Sequence, residues 1–166
     1  MKLLLPTLIV AAILLSNCKK SADTITPINC DGLVTDTLGT NDNGRIYMPT
    51  AFTPNGDGLN DLLVEHTENI LSLTLTIYDG SNNIVFTTTD LHHYWASQPS
   101  SVNLSTIYYY KIQAITASNH HIGECGVVYA LTCLPGNLPI SSLHFEDQLQ
   151  SHGFTGNTND YLPVCP

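Results

Sequence analysis

Hydrophobic and polar residues alternate along several short segments of the chain. In the clearest case, every second position from Leu71 to Ile77 is apolar and the positions between are serine or threonine. This period of two predicts a half-buried antiparallel strand. The predicted strands, bounded by turn residues, are Ile46–Met48, Leu62–Val64, Leu71–Tyr78, Asn83–Thr88, Ile107–Thr116 and Gly126–Thr132. Six short strands so close together are typical of an all-β, immunoglobulin-like antiparallel sandwich.

The segments on either side of these strands lack the alternation. Residues 18–44 are rich in Thr, Asp, Asn and Gly, which predicts an extended tether leading into a folded domain over residues 45–134. Residues 135–166 are predicted to form an irregular C-terminal extension held by a disulfide. Within it, Ser141–Leu149 has an N-cap residue but too few apolar positions for more than two helical turns.

The N-terminus has the features of an export signal. Lys2 is followed by an apolar run that ends at Leu15, and this run is shorter than the ~20 residues needed to cross a bilayer. Residues 1–17 are therefore predicted to be a lipoprotein signal peptide, because Leu15–Cys18 resembles a bacterial lipobox. We expect Cys18 to carry acyl chains that anchor the protein to a membrane. The alternative is an ordinary signal peptide in which Cys18 has no role.

The chain has five cysteines, and lipidation of Cys18 leaves four, the even number expected of disulfides in an oxidising compartment. Cys125 and Cys133 bracket one predicted strand, which places them ~26 Å apart at ~3.3 Å per residue. A disulfide needs Cα atoms within ~7 Å, so these two cannot pair with each other. We favour Cys30 with Cys125 and Cys133 with Cys165, because a first strand parallel to the last would bring the tether near the start of that last strand.

Charge and motifs exclude several classes of function. The 166 residues include 5 Lys and Arg against 14 Asp and Glu, a formal net charge of −9, so the chain has no basic face to neutralise phosphates. We therefore expect no nucleic-acid partner. The sequence has no GxSxG, HExxH, P-loop or GxGxxG motif, which favours a non-catalytic role. A hydrolase whose residues assemble only in space is a distant alternative.

The segment Asn55–Asp61 is dense in side-chain oxygens and contains two glycines. The four oxygen-bearing residues are Asn55, Asp57, Asn60 and Asp61. Such a set suits Ca²⁺, although the spacing is not that of an EF-hand, because the twelfth position from Asn55 is His66 instead of Glu. The alternative is a self-capped turn, in which Asn and Asp bind backbone N–H groups without an ion. The sequence leaves both interpretations open, and no other cofactor is expected.

The histidine pairs and the aromatic cluster favour structural roles. His92–His93 and His120–His121 are predicted to be solvated loop residues, because neighbours in an extended chain point in different directions and do not converge on a metal. Tyr108–Tyr110 and Trp95 are predicted to pack in the core.

The string IYMPTAFTPNGDGLND, Ile46–Asp61, is the most specific part of the sequence. With Leu75–Gly80, Ile84–Thr88, Trp95 and Thr106–Ile112, it closely resembles the gliding-motility-associated C-terminal domain family of Bacteroidetes, also known as the type B sorting domain of the type IX secretion system. The resemblance covers about residues 46–134. It implies an immunoglobulin-like β-sandwich, a non-catalytic role and a location in the cell envelope.

Together these observations predict a non-catalytic, lipid-anchored protein of the cell envelope, at the outer membrane. Its domain would be a binding or structural module linked to gliding motility or surface attachment. The expected partners are a membrane, reached through the lipid anchor, and an envelope protein or glycan. The alternative is a cargo or sorting domain of the type IX secretion system.

Overall fold

The computed structural model describes residues 30–97, 105–136, 138 and 140–166. The predicted signal peptide, Cys18 and the first part of the predicted tether lie outside the described residues. The described chain forms short 3-10 helices at Ile140–Ser142 and Glu146–Gln148, and no helix in it is long and apolar enough to cross a membrane. Its strands are β1 (Arg45–Tyr47), β2 (Ala51–Phe52), β3 (His66–Glu68), β4 (Ile70–Tyr78), β5 (Ile84–Thr88), β6 (Ser105–Thr116), β7 (His121–Leu131), β8 (Leu149–Gln150) and β9 (Gly153–Phe154).

A five-stranded sheet with the order β2-β7-β6-β4-β5 forms the larger layer. Within it β2 runs parallel to β7, and the other neighbours are antiparallel. The smaller layer contains the antiparallel pair β1–β3 and a single bridge between Leu63 and Trp95. The predicted strand Leu62–Val64 is thus reduced to that bridge.

One hydrophobic core joins the two layers. The inward positions of the large sheet pack against Met48, Leu63 and Trp95 of the smaller layer. The buried sheet residues in this cluster are Phe52, Leu73, Leu75, Ile77, Tyr110, Ile112, Ala114, Val128 and Ala130. Each large apolar side chain buried in this way stabilises the fold by about 1.5–3 kcal/mol. The predicted all-β sandwich is confirmed, as is the core packing of Trp95.

One apolar residue of the alternating segment lies outside the core. Leu71 is 69% exposed, although the period of two predicted it to be buried. The register between β4 and β6 shifts at this point, since Ile70 pairs with Thr116 while Ser72 pairs with Ile115. The bulge inserts one residue, leaves Leu71 unpaired and lets Ile70 pack against the core instead.

Residues 31–36 are docked on β7, although they belong to the predicted tether. The backbone N–H of Asp36 donates to the carbonyl of His121 at 2.9 Å, and the hydroxyl of Thr35 donates to the carbonyl of Gly123 at 3.0 Å. A Cβ at Gly123 would lie 2.8 Å from the Cβ of Leu33, so the close approach of the two segments requires glycine here. The folded body therefore begins before residue 45.

Two disulfides tie the segments before and after the sandwich to β7 and to the residues that follow it. They connect Cys30 with Cys125 and Cys133 with Cys165, with Cα atoms 6.0 Å and 5.1 Å apart, which confirms both predicted pairings. Cys125 lies within β7 and Cys133 follows its end, so the extended strand separates them as expected. Each cross-link typically stabilises a fold by about 2–4 kcal/mol.

The C-terminal extension builds a second hydrophobic cluster on the opposite face of β7. Its buried members are Ala51, Leu131, Leu143 and Phe145. The extension also covers the outer edge of β2, where the backbone N–H groups of Thr50 and Ala51 donate to the carbonyl of His144 at 2.9 and 3.1 Å. The predicted short helix is replaced by two 3-10 turns and the β8–β9 pair. The disulfide-tied extension is thus more regular than its sequence indicates.

Candidate functional site

The most distinctive site is the loop at residues 49–61, here called the signature loop, which contains β2. Gly56 and Gly58 adopt φ values of +82° and +92°, and Asn60 adopts φ 52°. Left-handed backbone is accessible to glycine and is tolerated by asparagine better than by most residues. Glycine at positions 56 and 58 and asparagine at position 60 therefore suit the left-handed backbone that this tight loop requires.

Side-chain oxygens inside the signature loop bind its own backbone. The Asp61 carboxylate accepts the N–H groups of Gly56 at 2.6 Å and Gly58 at 2.7 Å. Asn55 and Asp57 each accept the backbone N–H two residues further on, both at 2.9 Å. Such Asx hydrogen bonds stabilise turns without any bound ligand.

The four side chains predicted to bind calcium do not converge. Asn55, Asp57 and Asp61 face the loop backbone, whereas Asn60 points toward the C-terminal extension. The described residues contain no group of three or more His, Cys, Asp or Glu side chains placed to hold a metal ion. The geometry favours the self-capped turn.

Calcium binding stays a prediction that a thermal melt can test. For a self-capped loop, EDTA followed by excess calcium should leave the melting temperature of the full chain unchanged, because its oxygens are bound to N–H groups already. A rise with calcium that Asp57→Ala abolishes would instead support the calcium interpretation.

Asn60 connects the signature loop to the C-terminal extension. Its side chain is buried at 5% exposure. The amide nitrogen donates to Asp147 Oδ1 at 3.2 Å and to Thr158 Oγ1 at 3.3 Å, and the amide oxygen accepts the backbone N–H of Asp147 at 3.1 Å. The neighbouring Thr53 is fully buried and donates to the carboxylate of Asp160. These contacts hold the extension against the loop.

This role of Asn60 could not be predicted from the sequence. Asn60 and Asp147 are 87 positions apart, and the other three oxygen-bearing residues of Asn55–Asp61 all bind within the loop. The left-handed backbone at Asn60 turns its side chain away from the loop oxygens.

Glu65 is a buried carboxyl group that the sequence analysis missed. It is 3% exposed, and neither carboxylate oxygen has a hydrogen-bond partner in the described part of the chain. Burial raises the pKa of Glu65 to about 7, and the nearby negative charge of Asp90 acts in the same direction. Only its position between Val64 and His66, next to a buried bridge, could have indicated burial.

A second carboxyl group in the sandwich is paired with a tyrosine. The hydroxyl of Tyr110 donates to Glu124 Oε1 at 2.9 Å. Burial raises the pKa of both groups, which favours their neutral forms. This pair satisfies polar atoms inside the sheet.

The two histidines of the pair His120–His121 bind different carboxylates. His120 Nδ1 lies 2.6 Å from Asp42 Oδ2, and His121 Nδ1 lies 3.0 Å from Asp36 Oδ2. The pKa of Asp42 is lowered mainly by the backbone N–H of Gly44, and that of Asp36 mainly by the backbone N–H of His121. The pair therefore takes part in the contact between residues 31–44 and the start of β7, while its imidazoles remain 39% and 45% exposed to solvent.

His92 and His93 are exposed in the loop after β5, as predicted, and Tyr109 and Tyr110 are buried. His93 packs edge-on against Phe86 with ring centroids 5.2 Å apart, and Tyr108 packs edge-on against Trp95 at 4.6 Å. These contacts agree with the prediction that the aromatic residues serve packing.

The C-terminal extension encloses a cleft of about 530 Å³. Leu143, Phe145 and Phe154 supply apolar walls, and Gln148 and Asp160 are among its polar residues. Its volume is in the range of pockets that hold small ligands, about 300–1,000 Å³.

Replacing Asn60 by glycine should loosen the extension. Asn60→Gly keeps the left-handed backbone free of strain but leaves the buried partners around Asp147 unsatisfied, so we expect a loss of about 1–3 kcal/mol in the free energy of unfolding. Limited proteolysis should then cut within residues 135–166 first. Asn119→Gly, the same change at an exposed turn with φ 64°, is the control and should alter neither readout. Equal effects of the two variants would contradict the role of Asn60 in holding the extension.

Replacing Glu65 by glutamine should flatten the pH dependence of stability. Because the folded carboxyl keeps its proton up to about pH 7 and the unfolded one loses it near 4.5, stability falls as the pH rises through this window. The shift corresponds to a cost on the order of 3 kcal/mol at pH 8, which Glu65→Gln should remove. Urea unfolding at pH 5 and pH 8 measures it, with the exposed Glu68→Gln as control. An unchanged difference between the two pH values in Glu65→Gln would contradict the burial of a neutral carboxyl.

The comparison with known proteins agrees with the resemblance carried by the signature loop. Residues 46–129 match the family described as the CHU_C Type IX secretion signal domain, half of the chain, from β1 into β7. No curated protein and no solved structure matches the chain. The chain belongs to the family of CHU_C Type IX secretion signal domains.

Proposed function

We propose that the protein is a cargo of the type IX secretion system and that its β-sandwich is the transport signal. The family match over residues 46–129 carries this proposal, and it favours the sorting interpretation over a purely structural or binding module. A chain with such a signal domain is a protein of the cell envelope or a secreted protein. The domain itself acts by being recognised, which requires no catalytic residues.

The folded state of the domain supports a role in recognition after export. Disulfides form in oxidising compartments, and the Cys30–Cys125 cross-link has one of its two cysteines, Cys125, within the matched segment. A signal domain that folds and is cross-linked outside the cytoplasm presents one fixed surface to the machinery. The self-capped signature loop, held by Asn60 against the extension, contributes to this fixed surface.

We further propose that Cys18 anchors the transported protein to the outer membrane. The other four cysteines pair with one another, so Cys18 is the sulfur left for acylation. At about 0.8 kcal/mol per buried CH₂, several acyl chains would hold the protein stably. In the anchored protein, the cleft in the C-terminal extension would bind an envelope glycan or a protein segment. Such binding is the second candidate function.

The transport role can be tested with the full chain. A soluble reporter is inserted after Asp23, between Cys18 and the folded body, and expressed in strains with and without the secretion machinery. We expect protease-accessible reporter on intact cells only in the strain with the machinery. Equal exposure in both strains would contradict the proposal.

The same fusion with Cys18→Ser tests the anchor separately. Without acylation the reporter should appear in the medium instead of on the cell, and intact mass of the membrane-extracted protein should show acyl chains on Cys18. A reporter that Cys18→Ser leaves on the cell surface would rule out the lipid anchor while leaving the transport role intact.

A further inference from the structure

The two edges of the five-stranded sheet differ in how far other segments of the described chain cover them. At the β2–β7 edge, the C-terminal extension binds the outer N–H groups of β2 through His144, and residues 31–36 cover the first half of β7. The disulfide between Cys30 and Cys125 fixes this second cover. Residues 30–36 and the C-terminal extension thus close one side of the sheet.

The opposite edge, β5, is open. Within the part of the chain that the structure describes, no strand pairs with the outer side of β5. Its sequence, Ile-Val-Phe-Thr-Thr, has no charge and no proline, and Ile84 and Val85 are 63% and 41% exposed. Natural edge strands usually carry charges, prolines or bulges that prevent pairing with another chain.

One such device is present in β5, but it covers only part of the strand. The register with β4 shifts between Ile77 and Tyr78, so that Val85 is the extra residue of a bulge. Phe86, Thr87 and Thr88 remain in regular pairing with β4. Their outer backbone groups therefore lie in the extended geometry that accepts a further strand.

We propose that β5 is a docking edge that takes an extended apolar segment of a partner protein as a sixth strand. Main-chain hydrogen bonds to the edge would supply affinity, and contacts with Ile84 and Val85 would supply selectivity. Asp79 precedes β5 and Asp90 follows it, so the segment that fits has basic residues at its ends. Resting on the proposed function, this partner is the component of the secretion machinery that reads the domain.

The size and charge of the edge argue against a second copy of the chain as the occupant. The edge is a single five-residue strand, only ~17 Å long, so pairing along it alone buries less surface than the roughly 1,200–2,000 Å² of a stable complex. With a net charge of −9, two copies also repel each other. A small edge of this kind suits a transient contact, such as a cargo makes during transport.

A matched pair of lysine substitutions tests the edge. Ile84→Lys places a charge on β5, and Leu71→Lys makes the same change at a similarly exposed apolar residue, 69% against 63%, in the bulge of β4. In the reporter chain we expect Ile84→Lys to lower surface exposure about tenfold or more, equivalent to ~1.4 kcal/mol of binding. Leu71→Lys should be exported like the unsubstituted chain.

Thermal melts of both variants separate docking from folding. Because Ile84 is exposed, the melting temperatures of the two variants should agree. If Ile84→Lys melts at a lower temperature, Ile84→Thr replaces it in the export assay. That substitution keeps a β-branched side chain and removes apolar contact. Export of the edge variant at the unsubstituted level would overturn the docking edge while the proposed function stands. Equal loss in both variants would overturn it too, because the effect would then not be specific to β5.

Two further outcomes are distinguishable. If the unsubstituted reporter is not exported by the machinery, the proposed function fails and this partner fails with it. If light scattering shows the purified chain to be a dimer that Ile84→Lys dissociates, a second copy occupies the edge and the assignment to a partner protein is overturned.

Discussion

The position of β7 in the sheet constrains where its neighbours in the described chain lie. β7 pairs along its whole length with β6, runs parallel to β2 at Tyr129 and Ala130, and carries one disulfide within the strand and another just after it. The segment before the sandwich is cross-linked to this strand, and the extension is cross-linked to the residues that follow it. The hydrogen bonds of the sheet hold neighbouring strands ~4.8 Å apart. The cysteines of the two disulfides can therefore exchange partners only if the sheet is broken.

This arrangement gives the sheet a closed side and an open side. Residues 31–36 and the C-terminal extension contribute main-chain hydrogen bonds to the closed side, and the extension adds apolar side chains in the cluster around Leu131 and Phe145. No strand of the described residues pairs with the outer side of β5. For the recognition role proposed above, a bare strand edge is the simplest feature for a partner to bind, because its hydrogen bonds require only extended backbone.

The signature loop combines local and long-range roles. Asn55, Asp57 and Asp61 stabilise the loop from within, whereas Asn60 and Thr53 bind residues of the extension. A family motif therefore also fixes a segment that lies beyond the matched residues 46–129. Glu65, a few residues later, lowers stability at neutral and higher pH because burial disfavours its charged form.

The sequence by itself determined the all-β class, the strands with clear alternation or β-branched runs, and the exclusion of a disulfide between Cys125 and Cys133, because side-chain period and strand length are local properties. It did not determine the exposure of Leu71, which depends on the register of β6 against β4. Tertiary structure alone decided that Asn60 binds Asp147, that Glu65 is buried without a partner among the described residues, and that residues 31–36 leave the tether to cover β7. Each of these outcomes depends on segments that are far apart in sequence. Whether such a side chain meets solvent or the rest of the protein is therefore decided only when the sheet is assembled.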